Sequence, residues 1–112
     1  MMPDELRIGT HTFEILLRDS KDDAGLEDAF GYTTDASNLI VMRKDMPLAK
    51  TQQTLLHEIF HAIRFIYGSH TVPAKNASID DLEHHFISLY EQPLLTVFRD
   101  NPDLYDYLME GQ

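Results

Sequence analysis

Residues Thr54 to Ile63 read TLLHEIFHAI, with His57 and His61 four positions apart around Glu58. Four positions are one helical turn, so both imidazoles leave the same face of a helix and can reach one ion. Glu58 is offset by about 100° and stands beside such an ion rather than on it. This H-E-x-x-H spacing is that of zinc hydrolases. There the ion polarises a carbonyl and brings the pKa of a water toward ~7, while the glutamate moves the proton from the water to the leaving amine. His57 and His61 are therefore candidate metal ligands, and Glu58 is the candidate catalytic base.

Two imidazoles do not complete a protein zinc site, because catalytic zinc takes three protein ligands and a water. The metzincin extension would place Gly at position 64 and His at position 67, where this chain has Arg64 and Tyr67. The third ligand then belongs further on, in the stretch DDLEHHF, residues 80–86. Glu83 is the expected ligand, with Asp80, His84 and His85 as competitors. Acidic residues in a first helical turn also favour the macrodipole without any metal. His70, His84, His85 and Tyr90 are oxyanion candidates by residue type alone, and none is assigned.

The elements that position these residues fall into two halves. LRI, a break at Gly9-Thr10 and THTFEILL, with Phe13, Ile15 and Leu17 alternating against Thr12, Glu14 and Leu16, predict a hairpin. The polar run DSKDDAGLEDA connects to FGYTT and NLIVMR, two more strands joined through Asp35-Ala36-Ser37-Asn38. NLIVMR is either an exposed edge able to receive an extended peptide or an interior strand. From Pro47 the period changes. Leu56, Ile59, Phe60, Ile63, Ile66 and Tyr67 recur at helical steps, and Gly68 is placed to stop the helix. The histidines stand off that apolar stripe. Ser78 with Asp81 predicts a capping box for a second helix, which Pro93 should kink or divide. Asn101-Pro102 ends it, and DLYDYLM predicts a short terminal helix.

The 112 residues are expected to form one domain, 1–112, with α+β architecture: a small, largely antiparallel sheet packed on the H-E-x-x-H helix and on a following ligand-bearing helix. The absence of cysteine excludes disulfides, thiolate metal sites and cysteine nucleophiles. Any transition metal is left to imidazole and carboxylate, which suits zinc among others. A formal charge of −10 repels a phosphate backbone, so nucleic acid is not an expected partner. No stretch has the length of a signal sequence or a membrane span, and the expected location is a cytoplasm.

GYTTDASNLIVMRKDMP leading into TQQTLLHEIFHAI, then an acidic helix and FRDNPDLYDYL, resembles the small phage-type ImmA/IrrE metallopeptidases from about Gly31 to Leu108. The resemblance implies a gluzincin-like, zincin-type minimal core and a zinc-dependent peptidase acting on a protein substrate, such as a phage or prophage repressor, in a host cytoplasm. Residue by residue it places His57, His61 and Glu83 on the metal and Glu58 as general base. The alternative is a weakly active or inactive phage protein-binding module that keeps its metal for stability.

Overall fold

A computed structural model of the chain describes residues 1–68 and 73–111. His70, one of the oxyanion candidates, lies outside them. Four strands form one mixed sheet in the order β1-β2-β4-β3: β1 Glu5–Ile8, β2 His11–Arg18, β3 Gly31–Thr34 and β4 Leu39–Arg43. The predicted hairpins are both present, with β1 antiparallel to β2 and β3 antiparallel to β4. The central pairing, β2 with β4, is parallel, so the sheet is mixed, with the two outer pairings antiparallel. Residues 19–30 carry the chain outward so that β3 lies at the edge and β4 returns inside it.

Cross-strand partners share a face of a sheet. The register therefore puts Leu6, Phe13, Ile15, Ile40 and Met42 on one side, and all five are buried. Against that side pack α1, Leu48–Tyr67, and α2, Ile79–Asp100. Leu55, Ile59 and Ile63 of α1, with Val97 of α2, complete a single core cluster with Leu104 and Tyr107 of α3, Pro102–Leu108. Each Leu, Ile or Phe so buried contributes about 1.5–3 kcal/mol relative to exposure.

The helix boundaries follow local chemistry. α1 stops at Gly68, and Ser78 with Asp81 closes a capping box at the start of α2. α2 runs unbroken through Pro93, so the expected division does not occur. Proline removes one backbone donor there, and the buried position of Pro93 and the packing of Val97 carry the helix on. At Asn101 the side chain accepts from the Arg7 amide at 2.8 Å and donates to the Arg7 carbonyl at 2.7 Å, fastening the α2–α3 corner to β1. Gln52 donates to the carbonyls of Tyr107 and Glu110, which ties α3 to α1.

β4 is the interior strand. Val41 is fully buried and pairs with Leu16 on one side and Tyr32 on the other. NLIVMR is thus not an open edge. The open edge beside α1 is β3, and Gly31 allows it to lie close: a Cβ there would meet the Val41 carbonyl at 2.9 Å and Thr54 Cγ2 at 3.0 Å. Asp23, in the polar connection, accepts from the Tyr32 hydroxyl at 2.7 Å. That bond is the main reason its carboxyl lies below the usual range, with help from the Gly25 amide and Arg18 against partial desolvation.

Candidate functional site

α1 carries His57, Glu58 and His61 in its third and fourth turns, on and beside the stripe that turns away from the core. His57 Nε2 and His61 Nε2 are 3.2 Å apart, with the rings edge to face. Two metal–nitrogen bonds of tetrahedral zinc hold their nitrogens about 3.3 Å apart, so the pair converges at ligand spacing. A neutral pair can also share one N–H across the same gap. The His57 side chain is 67% exposed, whereas Glu58 is only 4% exposed.

Burial of a carboxylate requires hydrogen bonds. Thr33 of β3 provides one: its hydroxyl lies 2.9 Å from Glu58 Oε1 and 3.2 Å from the Glu58 carbonyl. The other oxygen, Oε2, lies 3.9 Å from His57 Nε2. Glu58 is thereby turned along the histidine pair without joining it as a third ligand. Two open cavities, about 270 and 290 Å³, share Gly31, His57 and Glu58 and form one groove between β3 and α1.

β3 also offers its backbone to that groove. The Arg43 amide donates to the Phe30 carbonyl at 3.0 Å. Hydrogen-bonded and non-bonded pairs alternate in antiparallel ladders, so Tyr32 is the next residue bonded to β4. The N–H and C=O of Gly31 and Thr33 consequently aim at the open edge.

No known family model, curated protein or solved structure matches the chain. The residues themselves carry the functional reading. Among the described residues, no group of three or more His, Asp or Glu side chains is gathered about one ion position. Glu83 is exposed in the early turns of α2, and Asp80 and His84 face each other there at 3.8 Å. His85 packs edge-on against Phe86, and Tyr90 packs edge-on against Phe60. The structure therefore brings His57, Glu58 and His61 together and leaves Glu83 apart from them.

Thr33 is the site residue that sequence reasoning missed. Alternation along GYTT places it on the face shared with Ile40, which is the face that meets α1. A hydroxyl on an otherwise core-facing strand position was the available signal, but it acquires meaning only once β3 is known to lie against the Glu58 turn.

Proposed function

We propose that the chain is a zinc-dependent metallopeptidase with a zincin-like minimal core, similar to the small phage-type ImmA/IrrE enzymes, which cleaves an extended segment of a protein substrate. The observation that carries this reading is a buried carboxylate, Glu58, held by Thr33 beside two imidazoles at metal-ligand spacing in an open groove. A site kept only for stability closes around its ion. Here His57 is largely exposed and an edge strand borders it, which favours catalysis over a purely structural role.

The two imidazoles fit zinc; the third donor is not gathered in this structure. We assign that place to Glu83. None of Ile79–Ser88 is buried, so core packing does not fix that end of α2 against α1. Zinc held by His57 and His61, with Glu83, would supply Lewis acidity toward a scissile carbonyl and toward a water. Glu58 takes the proton of that water and returns it to the leaving amine. Thr33 keeps the carboxylate in the orientation both transfers need. The outward amide and carbonyl groups of Gly31 and Thr33 pair with the substrate backbone and hold it straight across the groove.

Thr33 provides the test. Thr33→Val keeps the shape and removes the donor, and is expected to lower zinc-dependent cleavage of a peptide pool roughly tenfold, the scale of one hydrogen bond to a charged group. Thr33→Ser restores the donor and most of the rate. Equal rates for all three proteins would contradict the assigned position of Glu58.

A further inference from the structure

The groove does not end at Glu58. Its larger-numbered end meets Phe65, and its other end meets Phe30 and Lys50. A further cavity of about 300 Å³ shares Phe30 and Lys50 and opens onto Arg18, Arg43, Lys44 and Asp45. Four of the nine basic residues of a chain with net charge −10 thus line this depression, two adjoining cavities that meet at Lys50 and Phe30, where Asp45 and the buried Glu58 are the acidic members. Two of them are engaged. Arg43 donates to the carbonyls of Leu26, Glu27 and Ala29, and Arg18 pairs with Asp23 at 3.3 Å. Among the described residues, neither Lys44 nor Lys50 has an ion-pair partner. Lys50 Nζ stands 4.0 Å over the ring of Phe30, itself half exposed. A ring face engages part of an ammonium group that has three donors, so Lys50 keeps donors for an anion.

Position connects this charge to the chemistry. Lys50, Thr54, His57 and His61 follow one another at i, i+4, i+7 and i+11, so Lys50 lies on the histidine stripe about 10 Å from His57 along the axis. An extended peptide covers that distance in about three residues. β3 begins at Gly31, directly after Phe30, so a strand added along it delivers side chains to this end of the groove. On the peptidase reading, we propose that the depression is a substrate subsite for an acidic side chain, a glutamate or aspartate within about three residues of the cleaved bond, with Lys50 as its charge partner and Phe30 as its floor.

The test reads binding separately from cleavage. Short labelled alanine–serine peptides carrying one Glu, stepped through each position, and their Gln counterparts are titrated against the Glu58→Gln protein by fluorescence anisotropy. The expected result is roughly tenfold tighter binding of a Glu peptide at a fixed position, weakened by salt. Lys50→Gln removes the preference, and Lys50→Glu transfers it to Lys peptides. Equal binding of Glu and Gln peptides, or a preference that survives Lys50 substitution, overturns the subsite. The same peptides are then given to the unmodified protein with zinc. An acidic binding preference without cleavage leaves the subsite standing and sinks the peptidase reading; cleavage without acidic preference does the reverse.

Discussion

Glu58→Gln is expected to retain its zinc and its melting temperature while losing peptide hydrolysis by about 10²-fold or more, the scale of a lost general base. The amide has the shape of the carboxylate, and its oxygen can still accept from the Thr33 hydroxyl 2.9 Å away. It cannot take a proton from water. At 4% exposure a neutral amide is also easier to bury than a charge, so no loss of stability is expected to confuse the result. Metal content and thermal unfolding are measured beside the rate. A variant that cleaves as fast as the parent would remove Glu58 from the mechanism.

Val41→Pro is expected to abolish the cooperative unfolding transition. Val41 lies in the inner strand, fully buried, between Leu16 and Tyr32. Proline there removes a ladder donor, and the middle of a sheet excludes it for that reason. Loss of the Val41 packing adds to the damage. Circular dichroism through a thermal ramp decides the matter. A folded Val41→Pro protein would mean that β4 is an edge after all, and would return NLIVMR to consideration as the peptide-docking strand.

That strand shows where the sequence was informative and where it was not. A continuous apolar run such as LIVM marks a strand covered on both faces, but it left NLIVMR open as edge or interior, because coverage of the faces does not say what lies at the sides. Its neighbours are another matter. Period two specifies which face is buried but not which strand lies alongside, so the parallel β2–β4 pairing and the edge position of β3 were not legible. Local signals fared better. Gly68 as a stop, the Ser78–Asp81 capping box and the break at Asn101-Pro102 each depend on backbone chemistry within a few residues, and each is present. Asn101 also binds β1 in both directions, a long-range role its motif does not announce.

The site divides the same way. His57, Glu58 and His61 were legible because one helical turn sets their geometry. Thr33 was not, because its bond to Glu58 spans 25 positions and exists only when β3 lies against α1. Glu83 depends on how two helices meet across a connecting segment, which residue spacing does not encode. Lys50 was invisible for a related reason. It falls on the histidine stripe by helical period, yet its significance comes from Phe30 on a separate element.

Zinc titration of the purified chain decides whether His57 and His61 hold a metal ion. Isothermal calorimetry with metal analysis of the dialysed protein is expected to give about one zinc per chain. Binding should be lost in His57→Ala and in His61→Ala and weakened in Glu83→Gln. Full zinc binding by both histidine variants would contradict the account.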